Sequence, residues 1–153
     1  MATFSFDTMT AAQAAAFSAA DFLTFDTGTA PAVTVLFNGS VTTISLGAHS
    51  LDFSSAVSAV SQSGGVSFAD HSLLYIGDFA ANTEHLASDS TTPAAMFGAD
   101  GDDTLITGLG GGLLQGNQGA DTLETAGKAT IYGGQGNDTI AAISNGSHDN
   151  FFQ

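Results

Sequence analysis

The sequence predicts a mainly β protein: a parallel β-roll in the C-terminal part, preceded by a small β-rich domain with one N-terminal helix. Three observations carry that prediction. After position 98, apolar residues recur at steps of about nine between pieces rich in Gly and Asp. Before it, apolar residues alternate with a period of two around an Asn-Gly pair, the mark of half-buried strands joined by a hairpin. Ten of the twelve Phe lie before residue 98. The change of composition near Thr92 and Pro93 divides the chain into residues 1–92 and 93–153.

The first element is a helix near residues 10–20. Thr10 stands at its N-cap with Gln13 three positions on, a capping box that satisfies two free backbone donors. The Ala run propagates it, and Phe17, with Phe22 or Leu23, is available to pack on a core. From Ala32 the residues AVTVLFNGSVTTISLG place β-branched and aromatic side chains on either side of Asn38-Gly39, a hairpin signal. The stretch LDFSSAVSAVSQSGG fits a strand or a short helix. Further strands are expected in GVSFAD and SLLYIG, with a turn at Asp70-His71.

The second half is a repeat. Leu105, Leu114, Leu123, Ile131, Ile140 and Phe151 follow one another at steps of 9, 9, 8, 9 and 11, each inside a three-residue strand. The turns between them alternate. One set reads GADGDD, GNQGAD and GGQGND, starting at Gly98, Gly116 and Gly133; the other reads TGLGGG and TAGKA, and only the first ends in Asp. A short strand and a turn make half a coil, so about eighteen residues complete a circuit and like turns stack on like turns. Asp103, Asp121 and Asp138 then form a column on one edge, and the aliphatic residue two positions past each Asp turns inward. Glycine tolerates φ > 0 and close approach, so carbonyl oxygens can join the carboxylates. An all-oxygen site with several carboxylates and a flexible loop favours Ca²⁺ over transition metals and Mg²⁺. A flexible Gly/Asp-rich linker shares the composition, but it does not keep a core-type residue at fixed steps.

The pattern resembles the nonapeptide repeats of the RTX (repeats-in-toxin) family, G-G-x-G-x-D-x-U-x, over roughly residues 98 to 141, with a degenerate continuation to about 152. The resemblance implies a roll in which successive turns clamp Ca²⁺. It carries the bridging Asp onto Asp103, Asp121 and Asp138. The turn glycines correspond to Gly98, Gly101, Gly116, Gly119, Gly133, Gly134 and Gly136. Asp100 in the third position, and Asp102 and Asn137 in the fifth, are additional ligand candidates. Asp149 matches a worn fourth turn, and GDFAANT at 77 to 83 a weak opening turn with Asn82 in the Asp place. Because the intervening turns lack the Asp, with Gly112 and Thr130 near its place, ions are expected along one edge, about two of them sandwiched. Packing and backbone ladders alone should hold the other.

Charge narrows the function. Fifteen acidic residues face one basic residue, Lys128, for a net charge of -14. Nucleic acid is a poor partner, because phosphate binding needs Lys or Arg, and an excess of like charge opposes a compact state unless cations are bound. No apolar run is long enough to span a membrane. The chain has no Cys, which excludes disulfides and thiol chemistry. Its opening residues lack the basic and apolar regions of a secretory signal. Lys128 is not in a P-loop, no EF-hand spacing occurs, the four His are scattered, with His49 and His71 expected in solvent-facing turns, and no Ser has a G-x-S-x-G setting. The expectation is a non-enzymatic, secreted, extracellular Ca²⁺-binding structural protein. The family resemblance implies bacterial type I export and folding outside the cell, and the apolar C-terminal end suggests a homo-oligomer, filament or lattice. The alternative is an adhesin or ligand-binding module, its recognition surface an exposed aromatic cluster in residues 1–92.

Overall fold

The computed structural model of the chain describes residues 1–143 and the backbone of the strand Phe151–Phe152. The fold is mainly β, as the sequence predicts, with its C-terminal part wound as a parallel β-roll.

The N-terminal part opens with β1 (Thr3–Ser5), α1 (Ala11–Ala15) and β2 (Phe22–Phe25). Thr10 and Gln13 form the expected capping box, but the helix stops at Ala15 rather than near residue 20. The reason is local. The Ser18 amide and hydroxyl donate to the Asp21 carboxylate, turning the chain toward β2. Phe17 drops into the core edge-on to Phe4 and Phe53. Next come β3 (Val33–Asn38), β4 (Val41–Leu46) and β5 (His49–Ser54), an antiparallel sheet in the order β3-β4-β5. Asn38 pairs with Val41, so the hairpin turn is Gly39-Ser40, one residue beyond the Asn-Gly step. His49 is not in a turn but begins β5, half-buried and edge-on to Phe6.

The ambiguous stretch is both a strand and a helix. β5 ends at Ser54 and α2 (Ala56–Gln62) follows at once, so the N-terminal part holds two short α-helices, not one, besides single 3-10 turns at Phe6–Thr8 and Ala30–Ala32. β6 (Val66–Phe68) then pairs with β2, giving a parallel sheet in the order β1-β2-β6. Phe6, just past β1, stacks on Phe25 at 4.6 Å, and Phe25 on Phe68 at 4.2 Å. Such ring pairs add about 0.5–1.5 kcal/mol each beyond their buried area.

The roll consists of β7 (Leu73–Ile76), β8 (Thr83–His85), β9 (Ala94–Asp100), β10 (Thr104–Thr107), β11 (Gly112–Gln118), β12 (Thr122–Thr125), β13 (Ala129–Gln135), β14 (Thr139–Ala142) and β15 (Phe151–Phe152). They alternate between two all-parallel sheets, β7-β9-β11-β13-β15 and β8-β10-β12-β14, so the roll takes in two strands upstream of residue 93. Leu105 is in register with Leu123 and Ile140, and Met96 with Leu114 and Ile131. Met96, Leu105, Leu114, Leu123 and Ile131 are fully buried, each worth about 1.5–3 kcal/mol. Ile140, on the last described level, is half-buried against the same cluster.

Three details differ from the nine-residue scheme. β9, β11 and β13 have seven residues, not three, because the parallel ladder continues through the first half of each glycine turn, with Asn117 opposite Ala99 and Gln118 opposite Asp100. Phe152, not Phe151, is opposite Ile131. At the first level, Glu84 takes the register position of Leu105, and burial raises its carboxyl pKa.

β9 is buried on both faces, which is why Ala94-Ala95-Met96-Phe97 reads as an unbroken apolar run. Met96 faces the roll interior, while Ala95 and Phe97 join Leu74, Ile76 and the N-terminal Phe cluster. The N-terminal part therefore closes the β7 end of the roll. The Ser61 hydroxyl of α2 donates to the Leu74 carbonyl at 2.9 Å and accepts from the Ile76 amide at 2.8 Å, so one side chain stands in for a neighbouring strand. Ser61→Ala leaves both buried groups unpaired and is expected to cost about 2–4 kcal/mol, read as a lower urea midpoint with an unchanged m-value.

Candidate metal centre

Every crossing from the β9-containing sheet to the β10-containing sheet has the same plan, a glycine followed five positions later by an acid or amide. The pairs are Gly77 and Asn82, Gly98 and Asp103, Gly116 and Asp121, and Gly133 and Asp138. Parallel stacking brings them into one column. Asp103 Oδ1 accepts the Asn82 amide at 2.7 Å, Asp121 Oδ1 the Asp103 amide at 2.9 Å, and Asp138 Oδ1 the Asp121 amide at 3.1 Å. Each carboxylate thus fastens its own level to the preceding one with one oxygen.

The second oxygen is different. Asp103 and Asp121 are each only 1% exposed, and the Oδ2 atom of each is buried without a hydrogen-bond donor. A Cβ on Gly98 would overlap Asp103 Oδ2 and lie 2.7 Å from the Gly116 carbonyl oxygen. A Cβ on Gly116 would overlap Asp121 Oδ2 and lie 2.5 Å from the Gly133 carbonyl oxygen. The carboxylate of one level and the glycine carbonyl of the next therefore converge where only glycine leaves room. These first-position glycines are needed for space, not for dihedral freedom. Positive φ falls instead on Gly101, Gly119 and Gly136 in the fourth position, and on Ala99, Asn117 and Gly134 in the second, the alternation that turns successive peptide units inward.

Taking these carboxylates out of water without a cation is costly. Burial, resisted by the Asn82 amide and reinforced by Asp121, Asp78 and Asp102, pushes Asp103 up to about 7. Burial likewise raises Asp121, against the hydrogen bond from the Asp103 amide and with the charges of Asp138 and Asp102 adding to it. Lys128, the one basic side chain, lies exposed on the opposite edge, beside the turn that leads into β13.

The accessory candidates separate. Asp102 Oδ1 accepts the Ala120 amide at 2.8 Å and braces the next turn from its exposed side. Asp100 lies at the end of β9 and lines a groove on the outer face of its sheet. Asn137 is exposed in its turn. Asp149 lies outside the described residues. Asn82, the weak extension, does begin the column, and its side chain accepts from the Asp78 amide at 2.7 Å while donating to Asp78 Oδ1 at 3.1 Å. Among the described residues, no three His, Cys, Asp or Glu side chains gather at one point. The donors are one carboxylate per level plus main-chain carbonyls, a set that suits a hard cation with a flexible oxygen shell.

The opposite edge is not held by packing and backbone alone. Thr107 and Thr125 are fully buried. The Thr107 hydroxyl donates to Thr125 Oγ1 at 2.9 Å, and Thr125 Oγ1 also accepts from the Gly127 amide and donates to its carbonyl, both at 3.1 Å. The signal was Thr at the head of both intervening turns.

Fold and site together define a class: a parallel β-roll closed at one end by an α/β cap, with stacked Asp carboxylates and glycine carbonyls along one edge. No family model, no curated protein and no solved structure matches the chain. No helix among the described residues is long and apolar enough to cross a membrane.

Proposed function

We propose that the protein is a secreted, non-enzymatic structural protein of the RTX kind whose roll folds around Ca²⁺ and then self-assembles. The observation that carries this reading is the pair of buried, donorless Oδ2 atoms of Asp103 and Asp121, each set against the glycine carbonyl of the next level. Asp103, Asp121 and Asp138 would hold the ions with the carbonyls of Gly98, Gly116 and Gly133. Bound Ca²⁺ supplies the positive charge that the column lacks. The resemblance to type I-secreted proteins fits a chain that stays unfolded where Ca²⁺ is scarce and folds outside the cell. For assembly, the β7 end is covered by α2, whereas β14 is the last strand of its sheet among the described residues, with Ile143 beside it 50% exposed. That asymmetry favours contact between two C-terminal ends over head-to-tail stacking.

The test is a Ca²⁺ titration of metal-free protein followed by circular dichroism and multi-angle light scattering. The β signal should rise with a midpoint of about 0.1–1 mM, the range of extracellular Ca²⁺ modules, and mass should then increase. A β signal indifferent to Ca²⁺ overturns the ion's role; folding without a change of mass overturns assembly alone.

A further inference from the structure

The outer face of the β9-β11-β13 sheet changes character along its width. At β9 it is sealed by the N-terminal core through Ala95 and Phe97. In register on β11 and β13 the same rows read Leu113 and Thr130, then Gln115 and Tyr132, all half-buried. Beyond the core, β3 overhangs this face as the edge strand of its own sheet. Two contiguous hollows of ≈ 320 and ≈ 470 Å³ run beneath it and share Gln115 and Tyr132, each within the range of about 300–1,000 Å³ usual for small-ligand sites.

We infer that this groove is a binding site for a neutral oligosaccharide. Its polar groups are the side-chain amides of Gln115, Asn117, Gln118 and Gln135 and the Asp100 carboxylate, with the Thr34 and Thr130 hydroxyls in the second hollow. An amide both donates and accepts, the capacity that paired sugar hydroxyls require, and a carboxylate accepts from them. The Tyr132 ring gives an apolar surface with a polar tip. The Gln115 amide donates to Asn117 Oδ1 at 2.6 Å, which fixes both side chains before any ligand arrives. No Lys or Arg lines either hollow and the whole chain carries -14, so phosphorylated, sulfated and uronic-acid sugars are repelled. Of the aromatic side chains in residues 1–92, Phe6, Phe17, Phe25, Phe53 and Phe68 are buried and Phe22 and Phe79 are exposed; recognition is assigned here to the place where that part meets the roll.

Because β11 and β13 belong to the roll, this inference rests on the proposed Ca²⁺-dependent fold. The experiment is to probe an array of neutral and acidic oligosaccharides with the full chain in ~5 mM Ca²⁺, about fivefold above the upper end of the range for extracellular modules. Titration calorimetry of the best neutral sugar with wild type, Tyr132→Ala and Gln115→Leu follows, each variant checked for its β signal. The expected result is binding confined to uncharged sugars and weakened at least about tenfold in both variants, on the order of 1.4 kcal/mol, with the Ca²⁺-dependent fold retained. A folded protein that binds no neutral sugar, or whose binding survives both substitutions, overturns the site, as does preference for an extended peptide pairing with β3. Sugar binding that persists, with a folded roll, in metal-free protein upholds the groove and overturns the Ca²⁺ reading instead.

Discussion

Freed of metal on a chelating resin, the protein is expected to be least stable at pH 8 and to gain stability as the solution is acidified toward pH 5. Asp103 is pushed from 3.8 to about 7 by burial first, and Asp121 and Glu84 are raised by burial as well. For an acid whose folded pKa lies above its unfolded value, the folded state binds the proton more tightly. Stability is therefore fully present below the unfolded value and is lost as pH rises through the folded one. For Asp103 that window runs from 3.8 to about 7. Saturating Ca²⁺ reverses the order, because the ion requires the ionised carboxylates and protons compete with it. The β signal read by circular dichroism at pH 5, 6, 7 and 8, metal-free and at saturating Ca²⁺, should rise toward acid in the first case and toward pH 8 in the second, so that the two curves cross. Parallel curves would mean that the column neither takes up protons nor binds the ion.

Sequence spacing revealed the roll because both of its determinants are local and periodic. A buried aliphatic two residues past Asp and a glycine five residues before it recur in almost every coil, and stacking turns those steps into columns. The spacing is faint or silent where the period breaks. Asn82, legible only as a weak opening turn, heads the column although 21 residues separate it from Asp103; three extra residues in that coil take it out of the nine-residue frame. The N-terminal parallel sheet repeats Ser-Phe-Asp at Ser5 to Asp7 as Thr-Phe-Asp at Thr24 to Asp26 and adds Phe68. Insertion of α1 in one interval, and of the β3-β4-β5 sheet with α2 in the other, erased the period that would have announced a phenylalanine stack. The Thr107 and Thr125 contact was hidden for another reason: Thr reads as an ordinary strand residue until stacking sets one hydroxyl on the next.

Gly116→Ala is expected to abolish most of the Ca²⁺-induced β signal, an effect out of proportion to one methyl group. The added Cβ overlaps Asp121 Oδ2 and sits 2.5 Å from the Gly133 carbonyl, in backbone that cannot give way without breaking register with β13. Overpacking of this kind costs about 1–3 kcal/mol in an adaptable core and more where the obstacle is main chain. Here it also displaces the two oxygens assigned to the ion. Gly39→Ala is the control, since its Cβ meets nothing within 4 Å and only the φ of 58° is unfavourable; its cost should stay near ~1 kcal/mol. Asp121→Asn separates charge from shape. The amide oxygen can still accept from the Asp103 amide, so the metal-free protein should show no less β signal than wild type at pH 8, while the Ca²⁺ midpoint rises at least about tenfold. A Gly116→Ala protein that folds with the wild-type Ca²⁺ midpoint would show that the glycine cradle is only a turn, and the ions would have to be sought elsewhere on the acidic surface.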